Sequence, residues 1–420
     1  MNERLSRFSK TAGPGILFAC TAIGVSHLVQ STRAGADYGL IMLGFVILVS
    51  VLKYSFFEYG SRYANATQTS IIDGYYKLSK FALWAYFLLT VASMFFVTGA
   101  VGFVTAGFFE NLFGVQFLEH WTIVLLFAIC VSILAIGKFH ILDSMIKIIA
   151  IVLVVSTVSA FLFALYVGPI EPVNDFEPKQ LWGVSGIFFL LALMGWMPTA
   201  VDLSTWNSLW TVEKIKQTKF KPKLRETLLE FRISYVITGI LALIFVTLGS
   251  FIFYGSGEDL PNNNSDFAHK IVTLYTQTMG DWTYIVIAAS AFTVMFGTII
   301  AVFDGYSRSL QRTVELIFTK NKHPQSNRKL YLLFLFLIAI GSLVITSQFQ
   351  DNLKNLVDFA TVLSFVIAPA IAIFNFRLVT GKYLNNSSHP STLLKLLSFA
   401  GIIFLIFFAL WFVVVKLSTF

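Results

Sequence analysis

The sequence predicts an all-α polytopic membrane protein with eleven spans, and three observations carry that prediction. The chain has 420 residues, 56% hydrophobic and 12% charged, against about 25% charged in a soluble domain. Its apolar residues fall in runs of about 20, the length a helix needs to cross a bilayer. The runs are joined by short connections, so no sizeable soluble domain remains. Forty-four Phe residues suit lipid contact more than compact core packing. Cys20 and Cys130 both lie inside apolar runs, so no disulfide framework is implied.

The first run covers about 13–36. It is too long for a cleavable leader, lacks a small-residue cleavage site and is followed at once by further runs. It begins as a helix and turns polar in mid-membrane, at Gly24-Val25-Ser26-His27. The runs at 39–59, 82–109, 121–138 and 143–167 are mostly Leu, Ile, Phe and Val. The sixth, 183–210, carries Gly195 and Pro198 at its middle. Proline removes an amide donor and clashes with the preceding turn. The remaining runs lie at 232–254, 283–304, 329–347, 356–379 and 394–416.

Charge placement predicts the orientation. With the N-terminus in the cytoplasm, inside segments hold Arg4, Arg7, Lys10, Arg62, Lys77, Lys80, Lys138, Arg377 and Lys382. Six further cations fall between Lys214 and Arg225, and six between Arg308 and Lys329. Outside segments hold only Lys179, Lys270, Lys354 and Lys416, with Glu171, Asp175, Glu177, Glu258, Asp259 and Asp266. Such an excess sets topology, and it puts the C-terminus outside. The net charge of +8 therefore reports orientation and contact with anionic lipid, and no nucleic-acid partner is expected. Phosphate-binding glycine loops, paired metalloprotease histidines and clustered cysteines are absent from the sequence, so an enzyme is not expected.

Freed backbone in a membrane is tolerated where it is buried in protein or lines a cavity. The two polar breaks are five spans apart, an odd number, so the second half is expected to be inserted upside down relative to the first. Interrupted helices at matching places in two halves point to a transporter site at the midplane.

Gly13-Pro14-Gly15 at the start of the first run, Ala34-Gly35-Ala36 with Gly39 at its end, and Met197-Pro198 in the sixth resemble the NRAMP divalent-metal transporters. The span count extends the resemblance over nearly the whole chain, but the specific motifs are confined to these two runs. It implies a leucine-transporter-like fold in a single domain over 1–420. Two inverted five-helix repeats, about 13–167 and 183–379, would be followed by an extra helix at about 394–416. It also implies proton-coupled uptake of manganese or iron into the cytoplasm, by a cofactor-free monomer in a bacterial inner membrane. The family's Asp-Pro-Gly-Asn falls on Gly24, Val25, Ser26 and His27, so its metal-binding carboxylate is glycine here. Its Met-Pro-His-Asn becomes Met197-Pro198-Thr199-Ala200, which keeps the sulfur and loses the histidine.

The substrate site is therefore expected around Gly24, His27, Met197, Thr199 and Asp202. His27, Met197 and Asp202 are the candidate metal ligands, and imidazole with thioether makes a soft set suited to late transition metals. His27, Asp202 and Asp304 are the candidate proton sites. An acid inside a membrane helix is functional by default, and histidine titrates near neutral pH. Gln30 and Ser31 should share the helical face of His27. Arg33 with Asp37, and Asp304 with Arg308, stand four apart and are expected to form local ion pairs. Lys53 is expected to pair with Glu58 or to snorkel, Asp358 to favour a helix N-terminus, and 262–265 to be an exposed loop. Two other readings stay open: a proton-linked carrier of a small organic solute, and a membrane sensor that keeps the fold without transport.

Overall fold

The computed structural model describes residues 10–115, 120–136, 139–174, 176–319, 327–349 and 352–418. Arg4, Arg7, Lys138, Asp175, Lys320 and Lys322 lie outside them. The described residues are helical apart from short connections. The first half consists of α1 (Pro14–Ala22), a π-helical turn (Ser26–Ser31), α2 (Thr32–Tyr38), α3 (Met42–Thr67), α4 (Ile71–Leu78), α5 (Lys80–Phe113), α6 (His120–Ile136) and α7 (Phe139–Val167). The second consists of α8 (Val184–Trp196), α9 (Leu203–Thr218), α10 (Leu224–Phe253), α11 (Asn264–Met279), α12 (Tyr284–Val314), α13 (Arg328–Ser347), α14 (Leu353–Thr380) and α15 (Thr392–Ser418).

Among the described residues, seven helical runs are long and apolar enough to cross a membrane, and three further apolar helices are shorter. The shorter ones include α8, half of an interrupted span. Lengths follow local chemistry. The helix α3 continues past its apolar run to Thr67 and stops where Gln68 turns left-handed, at φ 58°. Ser70 and Asp73 then form a reciprocal capping box that starts α4. Asn263 caps α11, so part of the expected 262–265 loop is a helix start. The helices α4 and α11 are too polar to read as spans.

The helices pack in an interleaved order. Helix α10 lies against α1, α2 and α3; α12 lies against α1, α5 and α7; α14 lies against α5 and α8. The two interrupted spans are thereby held inside the bundle rather than against lipid. One crossing shows how close this packing is. A Cβ on Gly35 of α2 would stand 1.9 Å from the Val246 carbonyl oxygen, and one on Gly249 of α10 would stand 2.2 Å from that of Thr32. Small residues on both helices let the backbones meet. On the outside of the bundle, Leu88, Val236, Ile240, Ile340 and Phe407 are exposed, an apolar surface that suits lipid.

Candidate functional site

Both expected breaks are present. Helix α1 ends at Ala22, the Ile23 amide still reaches the Ala19 carbonyl at 2.8 Å, and the chain unwinds through Gly24 and Val25. The Gly24 carbonyl is then taken by the amides of His27 (3.1 Å) and Leu28 (2.9 Å), which starts the π-helical turn. A Cβ at Gly24 would stand 2.7 Å from both Cγ2 and Oγ1 of Thr298 on α12. The space for a side chain at this position is already filled.

The second break runs from Met197 to Asp202, between α8 and α9. The Lys53 ammonium, wholly buried on α3, donates to the carbonyls of Met194 and Gly195 at 3.0 Å and of Met197 and Thr199 at 2.8 Å. Freed carbonyls at membrane depth need partners inside the protein, and a side chain supplies them here. Lys53 does not pair with Glu58, contrary to expectation. Glu58 instead accepts from Arg62, Arg232 and the Tyr54 hydroxyl.

A cavity of about 30 Å³ lies between the breaks. Thr21, Ser26, Thr199, Asp202, Thr298 and Tyr306 supply its polar wall, and all of these but Asp202 are buried. The volume holds a water or an ion and little else. Asp202 brings the carboxylate, which accepts from the Tyr306 hydroxyl at 3.3 Å. Its carbonyl holds the start of α9 by accepting from the Thr205 amide and hydroxyl at 2.9 and 2.7 Å.

The structure separates the expected site residues. Thr199 and Asp202 line the cavity, whereas His27 and Met197 do not. His27 Nε2 donates to the Thr238 carbonyl at 2.9 Å, Nδ1 is 2.7 Å from Ser26 Oγ, and the ring stands edge-on to Phe245. Both ring nitrogens are thus engaged by groups other than Asp202. The Met197 sulfur accepts from the Ser31 hydroxyl at 3.5 Å. The wider turn of a π-helix breaks up the predicted polar face. His27 meets α10, Ser31 meets Met197, and Gln30 donates to Asp358 at 3.0 Å. Among the described residues, no three His, Cys, Asp or Glu side chains converge as a metal site.

Two buried or half-buried groups of charged side chains bridge the helices. Arg33 does not pair with Asp37. It reaches α14 and binds Asp358 through two hydrogen bonds, at 2.7 and 3.1 Å, while contacting Gln30 Oε1 at 3.0 Å. Asp358 thus serves as the partner of Arg33 rather than as a helix-end charge. Asp37 pairs with Lys179 instead, at 2.7 Å. Asp304 and Arg308 do form the expected pair, at 2.8 Å. Asp304 also accepts from Trp210 Nε1 and the Tyr331 hydroxyl, both at 3.0 Å. That carboxylate ties α12 to α9 and α13.

Two buried charged residues have partners that the sequence reading did not give. Lys53 was visible as a cation inside an apolar run, but its partners lie far along the chain. Glu230, buried on α10, accepts the amides of Gly13 and Gly15 at 3.1 and 2.8 Å and so caps α1. It sits just before the apolar run that marked the seventh span.

The chain matches the Nramp family, described as natural resistance-associated macrophage protein-like, over residues 15–415. It belongs to the Nramp family. An uncharacterized protein of Pasteurella multocida strain Pm70 is 33% identical over 415 residues, covering 98% of this chain and 94% of that one. A mutant of the Eremococcus coleocola manganese transporter superposes with a TM-score of 0.73 at 12% identity, covering 96% of this chain and 86% of that chain. Mhp1, a nucleobase-cation-symport-1 family transporter, superposes with a TM-score of 0.60 at 13% identity, covering 96% and 92%. The Nramp and leucine-transporter-like architecture that the resemblance implied is therefore the fold of this chain.

Proposed function

We propose that this Nramp member is a secondary transporter that carries a divalent metal ion across the membrane by alternating access, coupled to protons. One observation carries the reading: the Asp202 carboxylate stands in the break of one interrupted helix, on the wall of a small cavity shared with the other. Family membership and the likeness to a manganese transporter fold support a metal as cargo. The cavity supports a small ion over an organic solute, since pockets for small molecules run to about 300–1,000 Å³. The sensor reading has no second binding module to support it among the described residues.

The donor set differs from the soft one expected. Carboxylate and hydroxyl oxygens suit hard ions such as manganese, with Asp202 as the charged ligand and Thr199, Ser26 and Tyr306 around it. The His27 imidazole and the Met197 thioether support the break instead of the cargo. Asp202 holds the metal in one half of the cycle and a proton in the other, which links the two fluxes. Arg33–Asp358 closes the outer side and Asp304–Arg308 ties the inner side. Opening one while the other stays shut gives access from one face at a time.

Eleven spans, two inverted repeats over 13–167 and 183–379 and an added helix over 394–416 complete the proposal. A monomer in a bacterial inner membrane, N-terminus inside and C-terminus outside, fits the charge bias. Uptake by proteoliposomes under an inward proton gradient tests it, with manganese, iron, zinc and cadmium offered in turn. Manganese uptake stimulated by the gradient and lost in Asp202→Asn is expected. Folded protein that moves none of the four metals would overturn the reading and favour the organic solute.

A further inference from the structure

Lys53 has a coordination shell unlike that of an ordinary buried lysine. An ammonium carries three N–H donors, yet four carbonyl oxygens lie between 2.8 and 3.0 Å from Nζ. The donors are shared among more acceptors than they number, as around a spherical ion. Among the described residues, no carboxylate is hydrogen-bonded to it. All four oxygens come from one stretch, Met194 to Thr199, where the helix breaks.

An unpaired ammonium held away from water is costly, so these oriented carbonyls replace its hydration. Rings of backbone carbonyls do the same for a permeating monovalent cation in channel filters. The spacing selects the kind of ion. Magnesium sits at about 2.0–2.1 Å from its oxygens and calcium at about 2.3–2.6 Å, both too short for this cage. Neutral carbonyls also fall short of the charge a divalent ion demands.

We propose that the Lys53 ammonium is a tethered surrogate cation, filling a backbone-carbonyl site at the helix break that would otherwise take a large monovalent cation such as potassium or ammonium. Two consequences follow. Cargo between the breaks meets side-chain oxygens and not these carbonyls, because the lysine already holds them. The tethered amine also stays in place through the cycle, so that no free ion is needed to hold the break once the cargo has left. The inference goes beyond the transport reading and does not depend on which cargo moves.

Thermal unfolding of full-length protein in detergent tests it, with wild type compared against Lys53→Met and Lys53→Gln. Each is melted in potassium, ammonium, sodium, magnesium and choline chlorides at matched ionic strength. Wild type is expected to melt at one temperature in potassium, ammonium and choline. Both variants should melt lower in choline and regain at least half of the loss, saturably, in potassium or ammonium, with magnesium adding nothing. Variants indifferent to potassium and ammonium, or a wild type that responds as they do, would overturn the proposal. Variants that yield no folded protein from potassium-containing membranes count against it equally, since a free ion would then not replace the amine. Stability is the readout, so failure here leaves the uptake experiment untouched.

Discussion

Replacing Arg33 with Ala should open the side of the protein that bears Lys179. The guanidinium spans from α2 to Asp358 on α14 with two hydrogen bonds, and the side chains are only 7% and 18% exposed. Removing one partner of a fully buried pair costs about 3–5 kcal/mol. Asp358 is partly wetted and keeps its bond from Gln30, which lowers the figure to about 2 kcal/mol. At about 1.4 kcal/mol per tenfold, the closed state loses about 30-fold in its ratio to the open one. A cysteine placed at Thr361 reports the change, because this buried residue faces Gln30 below the pair. Native Cys20 and Cys130 are first replaced by alanine. The rate of labelling by a membrane-impermeant thiol reagent, applied from the side bearing Lys179, should rise by a similar factor in Arg33→Ala. Arg33→Lys should lie between, since an ammonium is a point charge without the planar fork. A labelling rate within twofold of the parent would show that this pair does not hold the gate.

Two further outcomes follow from the site. Gly24→Asp, which restores the acid of the family pattern, should destabilise the protein by about 1–3 kcal/mol, because Thr298 occupies the space of the new Cβ. Thermal unfolding should show the loss, and adding Thr298→Gly should recover most of it; no loss in the single variant would contradict the packing. Glu230→Ala should leave the amides of Gly13 and Gly15 without their acceptor and cost about 2 kcal/mol. Hydrogen exchange over 13–22 should then quicken, and unchanged exchange there would remove the cap from the account.

Long apolar helices were legible because bilayer thickness imposes a length on apolar runs, seven of them among the described residues, and the two breaks because Gly24 and Pro198 interrupt otherwise monotonous sequence. The charge partners were not legible. Arg33 was expected to stay with Asp37, four residues away, but reaches Asp358, hundreds of residues along the chain, because α2 and α14 meet only once the bundle forms. Lys53 behaved the same way, binding carbonyls of another span in preference to Glu58 on its own helix. The expected polar face was broken up for a local reason. The turn at Ser26–Ser31 is π-helical, so spacing rules for an α-helix assigned His27, Gln30 and Ser31 to one face that the backbone does not form. Asp202 was expected at the substrate site because an acid inside a membrane helix is functional by default, and it lines the cavity.

Equilibrium binding of radioactive manganese to purified protein tests the central claim most directly, comparing wild type with Asp202→Asn and Met197→Leu. The account predicts that the Asp202 variant loses at least tenfold in affinity, which is about 1.4 kcal/mol, while the Met197 variant binds as wild type does. Undiminished binding by Asp202→Asn, or binding abolished in folded Met197→Leu, would place the cargo elsewhere.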